Sequence, residues 1–284
     1  MKIVKNILFK CINSYCSYFP FPKKGMGLFL RFLKTFNLQN KVFKKKCTSG
    51  LYCYVNAIDH IQKIILWEAE YEKEVLEFAN IILKEGDNVI DIGANIGFLS
   101  IHFSQIIKTG KIYCFEPNEK LHLQLKNNFS INNLNNYILE SKAISSENTT
   151  SFLKVSNQYN TGLSSLSEFK TINTIEIETI KLDDYILPKN ITLVKIDIEG
   201  AELNALMGMK NVLLNHKPFL IVEIVNKQLQ NFNSNSKEVY SFLSHLQYSA
   251  YKKEGNKYLK ITNDNTEGYS VFFIPMEKEH LLTL

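Results

Sequence analysis

The fold is decided by the stretch Val89-Ile-Asp91-Ile-Gly93-Ala-Asn95-Ile-Gly97-Phe-Leu-Ser100, an apolar strand followed by a glycine turn and a helix. Gly93 stands where the strand must turn sharply, and without a Cβ it lets a ligand approach the backbone. Gly97 lets the helix pack close to the strand, and the first turn of that helix has unpaired N–H groups. The stretch therefore predicts the first βα unit of a parallel sheet, with a ligand at its turn.

The ligand expected at this turn carries no phosphate. The dinucleotide pattern GxGxxG needs a glycine at position 95, where this chain has Asn95, and no GxxxxGK[ST] sequence is present for a P-loop. The carboxylate of Asp91 beneath the turn would repel a polyphosphate but attracts a cation. Adenosylmethionine fits this chemistry, because it lacks phosphate and its methionyl amine and sulfonium are cationic.

A second acidic residue stands where a ribose could reach it. The next predicted strand ends in Cys114-Phe-Glu116-Pro117-Asn118, and Glu116 follows Gly93 by 23 residues. This is close to the spacing of about 20 residues at which an acid on the second strand binds ribose hydroxyls. Two vicinal hydroxyls can donate to one carboxylate, and Pro117 fixes the turn. The glycine turn and Glu116 together predict a nucleoside site.

The rest of the chain alternates between strand and helix patterns. Apolar runs predict strands at 51–57, 88–92, 111–115, 137–144, 191–198 and 219–225, and helical spacing predicts helices at 68–83, 96–107, 118–132, 201–214 and 238–246. Alternating residues predict half-exposed strands at 149–155 and 174–182, with a polar loop at 156–170 that could act as a lid. Segments 248–252 and 269–274 predict an antiparallel hairpin. We therefore expect an α/β fold with a mostly parallel sheet.

The basic character of the chain is confined to its first part. The 284 residues include 33 Lys or Arg and 28 Asp or Glu, a net charge of +5. Eleven basic residues precede the first acidic residue, Asp59, so the remainder holds 22 basic against 28 acidic side chains, a net charge of −6. A groove for nucleic acid on the main domain is therefore not expected.

Charge and composition predict a domain boundary near residue 50. Residues 1–50 are predicted as a basic helical segment, and residues 51–284 as the main domain with its core motifs at 86–225. The phenylalanines and lysines of the segment suit either a helical cap docked on the domain or a contact with the anionic inner face of a membrane. No apolar run approaches the roughly 18–20 residues of a membrane span. Five cysteines without a CxxC pair predict reduced thiols, and we expect a cytoplasmic protein.

In order and spacing, these motifs resemble the FkbM family of adenosylmethionine-dependent methyltransferases. Residues 91–100 are similar to its first motif and Phe115-Glu-Pro-Asn118 to its second. Further matches follow in order: Asn160-Thr-Gly162-Leu-Ser-Ser165-Leu, Thr179-Ile-Lys-Leu-Asp183-Asp184-Tyr185, Val194-Lys-Ile-Asp197-Ile-Glu-Gly200-Ala-Glu-Leu203 and Pro218-Phe-Leu-Ile-Val-Glu223. Upstream, Asp59-His-Ile61 and Tyr71-Glu72 resemble the lead-in, although Ala69 stands where the family often has glycine.

The resemblance implies a Rossmann-like class I methyltransferase fold and methylation of a hydroxyl, often on a sugar. Residues assigned to adenosylmethionine binding on the motifs and the resemblance together are Glu72, Asp91, Gly93, Asn95, Gly97, Glu116 and Asn118. For Glu72, a purely structural contact is an equal alternative. The expected partner is a small-molecule or glycan acceptor and not a nucleic acid.

The stretch Lys195-Ile-Asp197-Ile-Glu199 puts three charged side chains on one side of a strand. We expect Lys195 to form a salt bridge with Asp197, because unpaired charges in a buried strand are costly. An alcohol becomes a good nucleophile when its proton leaves, so we nominate Asp197 as base or substrate-orienting residue and Glu199 as its catalytic partner. A divalent ion on Asp197 and Glu223 is a weaker alternative, since no histidine joins them, and no metal site is predicted.

These expectations lead to two hypotheses of different classes. The first is an adenosylmethionine-dependent enzyme that O-methylates a sugar or glycan-type acceptor. The second is a non-catalytic cofactor-binding or scaffold protein, recruited through residues 1–50 to a membrane or a glycan-assembly complex. The acidic strand end at Asp197 favours the enzyme.

Overall fold

The computed structural model describes residues 2–19, 21, 24–155, 165–167, 171–261 and 269–282. The helices are α1 (Lys2–Tyr18), α2 (Met26–Thr35), α3 (His60–Glu68), α4 (Lys73–Ile82), α5 (Phe98–Ile107), α6 (Glu119–Ser130), α7 (Glu202–Met207), α8 (Lys210–His216), α9 (Asn226–Leu229) and α10 (Ser236–His245). The strands are β1 (Val42–Lys46), β2 (Tyr52–Asn56), β3 (Val89–Ile92), β4 (Ile112–Phe115), β5 (Tyr137–Glu140), β6 (Ala143–Ile144), β7 (Thr149–Lys154), β8 (Ser165–Ser167), β9 (Thr174–Ile180), β10 (Leu193–Ile196), β11 (Phe219–Ile224), β12 (Tyr248–Glu254), β13 (Lys257–Ile261) and β14 (Tyr269–Pro275).

The centre of the molecule is an eight-stranded sheet of order β13-β12-β14-β11-β10-β3-β4-β5. The five strands from β11 to β5 run parallel, whereas β14 is antiparallel to both β11 and β12. Strands β3, β4 and β10 are buried along their whole length, as strands of a covered parallel sheet should be, and Asp91 and Lys195 are the charged residues within them. The expected α/β fold with antiparallel C-terminal strands is confirmed. The antiparallel end has a third strand, β13, which the sequence analysis did not predict.

Helices cover both faces of this sheet. Val89 and Phe103 belong to an apolar layer with helices α4 to α6, whereas Ile90 and Leu206 belong to a second layer with α7, α8 and α10. Successive strand residues point to opposite faces, so each central strand contributes to both layers. The result is a three-layer α/β/α arrangement.

A separate four-stranded sheet of order β6-β9-β7-β8 lies after β5 in the chain. The predicted strand at 137–144 is in fact two strands in two sheets. Glu140 ends β5 in the central sheet, where its carbonyl accepts from the N–H of Glu116 at 3.0 Å, and Ala143 pairs with Thr179 of β9. Strand β8 lies within the predicted loop at 156–170, and the remaining residues of that loop lie outside the described residues.

Two predicted helices are each interrupted in the structure. The helix predicted at 68–83 begins at Lys73, because Ala69 and Glu72 adopt left-handed backbone angles with φ of 60° and 47°. The helix predicted at 201–214 is divided into α7 and α8. The Asp183 carboxylate accepts from the N–H groups of Asn211 and Val212 at 2.9 Å and so stabilises the first turn of α8.

The N-terminal segment is a docked unit that also contains a strand. Strand β1 pairs antiparallel with β2, from Val42 opposite Asn56 to Lys46 opposite Tyr52, so the pairing crosses residue 50. Helix α1 lies on β1, where the Ser17 hydroxyl donates to the Lys44 carbonyl at 3.1 Å. The segment is therefore not purely helical as predicted. Among the described residues, no helix is both long and apolar enough to cross a bilayer.

Candidate functional site

The candidate site lies where the carboxyl ends of four neighbouring strands meet. Strands β11, β10, β3 and β4 are adjacent and parallel, and open α/β sheets bind ligands at this edge. A cleft of about 770 Å³, counted with its open mouth, lies there. Its described polar lining includes Asn95, Glu116, Lys142, Asp197, Glu199 and Glu223, and its apolar lining includes Ile92, Phe115, Ile144, Leu153 and Leu166.

The two glycines of the turn are required by close packing. A Cβ on Gly93 would lie 2.0 Å from the carbonyl oxygen of Asp197, and the residue has a φ of 84°. A Cβ on Gly97, whose φ is 76°, would lie 2.9 Å from the side chain of Leu125 in α6. Gly93 therefore lets β10 end directly against the turn as well as lining the cleft, and Gly97 serves contact between α5 and α6.

Glu116 is held in the cleft by backbone groups. Its Oε2 accepts from the N–H of Asn95 at 2.8 Å and its Oε1 from the N–H of Asn118 at 2.8 Å. The side chain of His122 contacts the Glu116 carbonyl at 2.6 Å. Burial raises the pKa of Glu116 to about 7, although the two backbone hydrogen bonds oppose this. Each carboxylate oxygen keeps a further lone-pair direction, so the group can accept from two neighbouring hydroxyls.

A smaller cavity adjoins the cleft beneath the glycine turn. Its charged lining comprises Glu72, Asp91, Lys195 and Asp197. The ammonium of Lys195 lies 3.2 Å from Asp197 Oδ2, 3.7 Å from Asp91 Oδ1 and 3.3 Å from the Gly93 carbonyl. The predicted salt bridge of Lys195 with Asp197 is thus present, and the same lysine also neutralises Asp91. Burial lowers the pKa of Lys195, but the surrounding carboxylates more than offset this and keep it raised and charged.

Two buried acceptors in this cavity lack hydrogen-bond partners among the described residues. They are Asp91 Oδ1 and Asn95 Oδ1, while the other oxygen of Asp91 accepts from the Ser100 hydroxyl. Burial raises the pKa of Glu72 to about 7, with Lys195 opposing the rise. Buried acceptors are normally satisfied, so this cavity suits a ligand group that donates several hydrogen bonds and carries positive charge.

Three carboxyl groups end β10 and β11 on the opposite side of the cleft. Interaction with ionised Asp197, together with burial, raises the pKa of Glu223 to about 10. Burial alone would raise the pKa of Asp197, but Lys195 and a hydrogen bond from Glu223 lower it. Burial raises the pKa of Glu199 to about 8, and the Gln228 side-chain amide donates to this carboxyl. At neutral pH, Asp197 is the ionised member of the three.

Several lining residues have backbone angles that are unfavourable for side chains. Glu72, Asn95 and Glu199 have φ values of 47°, 51° and 60°. Left-handed non-glycine residues cost of order 1–3 kcal/mol and persist where the surrounding structure holds them. The surrounding structure therefore holds these three side chains at the cleft and its adjoining cavity at a cost in folding stability.

Most of the predicted site residues come together. Those that line the two adjoining cavities are Glu72, Asp91, Gly93, Asn95, Glu116, Asp197 and Glu199. Gly97 and Asn118 are not in the described lining of either cavity. The side chain of Asn118 instead accepts from the N–H of Lys120 at 3.3 Å and caps α6, because a side-chain oxygen at this position satisfies a free helix N–H.

The structure adds residues that the sequence analysis did not assign to the site. Tyr71 lines both cavities, and Glu223 lies beside Asp197 in the cleft. Ile144, Leu153 and Leu166 form an apolar wall that the four-stranded sheet contributes. Glu223 lies near the end of a parallel strand, and the sequence brings it into the site only in the weaker metal alternative with Asp197. Residues 160–164 of the third motif lie outside the described residues.

A parallel α/β sheet with a glycine turn over Asp91 and a buried acid, Glu116, at the end of the next strand is the arrangement of a class I methyltransferase fold. The model of the methyltransferase FkbM domain matches residues 91–250, more than half of the chain. The chain belongs to this FkbM methyltransferase family. Adenosylmethionine, the cofactor predicted from the sequence, is the cofactor of that family.

Solved structures with detectable similarity include three methyltransferases. A methyltransferase FkbM from Methylobacillus flagellatus has 17% identity over 67% of this chain, with a TM-score of 0.45, and the chain spans only 44% of its length. A methyltransferase from Streptococcus mutans in complex with SAH has 13% identity over 72% of this chain and 98% of its own, with a TM-score of 0.44. A SAM-dependent O-methyltransferase from Thermotoga maritima has 14% identity over 85% of this chain and 80% of its own, with a TM-score of 0.43. A comparison with curated protein sequences gave no match.

Proposed function

We propose that this chain transfers the methyl group of adenosylmethionine to a hydroxyl group of a sugar or glycan-type acceptor. The observation that carries the proposal is the Glu116 carboxylate, which two backbone N–H groups hold inside the cleft. On the other side of the same cleft lies the ionised Asp197. The cleft therefore offers a nucleoside-binding end and a hydroxyl-binding end.

The residues present fit the cofactor at each of its parts. Glu116 would accept from the two ribose hydroxyls, and Phe115 and Ile144 offer apolar surface for a purine. Asp91 Oδ1 and Asn95 Oδ1, which have no hydrogen-bond donor among the described residues, would accept from the methionyl ammonium, and Glu72 adds negative charge to that of Asp91 and Asp197 beside the single Lys195. When bound, adenosylmethionine supplies a methyl group attached to a sulfonium leaving group.

On the acceptor side, we assign Asp197 to orienting the attacking hydroxyl. Its lowered pKa keeps it ionised, so it accepts a hydrogen bond from the hydroxyl over a wide pH range. A carboxylate with a low pKa is a weak base, and Glu199, with a pKa raised to about 8, is the better proton acceptor once it ionises. In-line methyl transfer depends strongly on orientation, which Lys195 supports by fixing Asp197.

The acceptor class follows from the family resemblance and from charge. Neighbouring carboxyls such as Asp197, Glu199 and Glu223 can accept hydrogen bonds from a polyol, and the chain after residue 58 has a net charge of −6, which disfavours a nucleic acid. All five cysteines are free, which supports action in the reducing cytoplasm. The non-catalytic alternative predicts cofactor binding without turnover.

Cofactor binding is tested by calorimetry with adenosylmethionine, NAD and ATP on the wild type and on Glu116→Gln. The amide keeps the shape but replaces one of the two acceptor oxygens with a donor and removes the charge, and hydrogen bonds to a charged group contribute about 1.5–3 kcal/mol. We expect adenosylmethionine alone to bind, and Glu116→Gln to weaken it about 10- to 100-fold. Glu119→Gln, at an exposed position three residues away, serves as the matched control. Preferential binding of NAD would contradict the proposal.

Turnover is tested on the acceptors of the host. Glycans and lipids from a strain that lacks the gene for this chain are compared by mass spectrometry with those of the wild-type strain. Molecules that lack one methyl group in the deletion strain are then assayed as acceptors with the purified enzyme. RNA is included as a negative acceptor. We expect Asp197→Ala to retain cofactor affinity and to lose turnover. Full turnover by Asp197→Ala on the true acceptor would refute its assignment.

A further inference from the structure

The outer face of the N-terminal helices is both apolar and basic. Ile3, Ile7 and Tyr18 of α1 are 75%, 58% and 69% exposed, and helical spacing places them along one stripe. On α2, Leu28 is 72% exposed. Eight of the large apolar side chains that the structure describes as exposed fall between residues 3 and 32, whereas the others are scattered over the rest of the chain. We call the exposed side of α1 and α2 the N-terminal outer face.

The inner face of the same helices is firmly attached to the domain. Asn13 of α1 accepts from the Lys44 N–H at 2.7 Å, and Cys16 and Leu33 are fully buried. Phe21, between the two helices, stacks on Trp67 of α3 with ring centroids 4.6 Å apart. Docking therefore accounts for one side of α1 and α2 and leaves the apolar outer side without a covering element in the described chain.

Charge identifies the partner that fits this face. Helices α1 and α2 contain five Lys or Arg residues and no acidic residue. A symmetric dimer through this face would place two basic surfaces against each other, which is unfavourable. A nucleic acid would satisfy the charge but would not bury the apolar stripe. An anionic lipid surface satisfies both, because apolar side chains enter the acyl boundary while lysines contact the headgroups.

We propose that the N-terminal outer face binds an anionic phospholipid bilayer and holds the methyltransferase domain at its surface. The helices are prefolded on the domain, so binding does not require them to order first. The proposal is independent of the methyl acceptor and stands even if the acceptor is not a glycan.

The test is co-sedimentation of the full chain with vesicles of phosphatidylcholine alone and of phosphatidylcholine mixed with phosphatidylglycerol. We expect binding to the mixed vesicles only. Binding should weaken in 1 M salt, where the Debye length falls from about 10 Å to about 3 Å. Ile7→Glu and Leu28→Glu each remove apolar burial and add a repelled charge, so each should weaken binding about 30-fold or more.

Leu123→Glu is the matched control, because Leu123 on α6 is 70% exposed but lies outside the face. It should leave vesicle binding unchanged. The thermal melting and adenosylhomocysteine affinity of every variant are measured in parallel, and Leu28→Gln replaces any variant that does not fold. The proposal would be overturned if the chain did not sediment with either kind of vesicle, or if it bound neutral and anionic vesicles equally. It would also be overturned if Leu123→Glu weakened vesicle binding as much as Leu28→Glu does, or if the chain formed a dimer that Leu28→Glu dissociates.

Discussion

Lys195→Met removes the buried positive charge on which the site's carboxylates depend. The Lys195 ammonium lies 3.2 Å from Asp197 and 3.7 Å from Asp91, and the Lys195 and Asp91 side chains are only 6% and 1% exposed. Methionine fills a similar volume without charge, so the variant leaves two carboxylates without their counter-ion. Breaking a buried ion pair by removing one partner costs about 3–5 kcal/mol. We expect the free energy of unfolding to fall by that amount at pH 8.

The pH dependence gives this prediction a distinctive signature. Without Lys195, burial and mutual repulsion hold the folded-state pKa of Asp91 and Asp197 above the unfolded value of about 4. Below that unfolded value both states are protonated and no penalty arises. As the pH rises through it, the unfolded state ionises freely while the folded state does not. The deficit relative to the wild type should therefore be smallest near pH 4 and should grow toward pH 8.

Urea denaturation followed by circular dichroism at a series of pH values measures this deficit. Lys142→Met is the control, since Lys142 lines the cleft but pairs with Glu178 at 3.2 Å in a half-exposed position. A surface pair contributes at most about 1 kcal/mol, so the control should be nearly neutral. The reasoning would be refuted if Lys195→Met lowered the free energy of unfolding by less than about 1 kcal/mol at pH 8. It would also be refuted if the loss at pH 5 equalled the loss at pH 8.

Three further predictions concern the turn and the carboxyls. Gly93→Ala places a Cβ 2.0 Å from a carbonyl oxygen, so it should lower the free energy of unfolding, measured by chemical denaturation, by more than about 3 kcal/mol. The control Gly27→Ala has no atom within 4 Å of the new Cβ and should stabilise α2 by about 0.5–1 kcal/mol. The pKa of Glu116 is raised to about 7, and we expect its ionised form to bind the ribose hydroxyls. The affinity for adenosylhomocysteine, measured by calorimetry, should therefore fall as the pH drops below 7, and its pH dependence should be weaker in Glu116→Gln. Glu199→Gly relieves a φ of 60°, so it should raise the melting temperature while it lowers turnover.

The sequence predicts those parts of the fold and site that have a local signal. Apolar runs that end in an acid mark β3 and β10, and the spacing from Gly93 to Glu116 identifies the nucleoside end of the cleft. These features depend on strand period and on the fixed geometry of a βα turn, which neighbouring residues determine. The charged residues at the end of the predicted strand 191–198 add Asp197 and Glu199, which the structure places in the same cleft.

The features that the sequence did not predict depend on contacts between distant residues. The first turn of α8 is stabilised by the Asp183 carboxylate, which lies 28 residues from Asn211 in the sequence. The direct hydrogen bond between Glu223 and Asp197 requires β10 and β11 to be neighbours, whereas the sequence pairs these two residues only through the weaker metal alternative. Asn118 is polar at a strand end, as a ligand-binding residue would be, but its side chain is used to cap a helix. These features are determined by packing between residues that are distant in the sequence, and no local sequence pattern predicts such packing.

A crystal structure with bound adenosylhomocysteine tests the central claim most directly. We expect both ribose hydroxyls to lie within hydrogen-bond distance of the Glu116 carboxylate, about 2.5–3.0 Å. We expect the amino group of the homocysteine part to lie beside Asp91 and Asn95. A product bound elsewhere, or bound with Glu116 turned to solvent, would contradict the account.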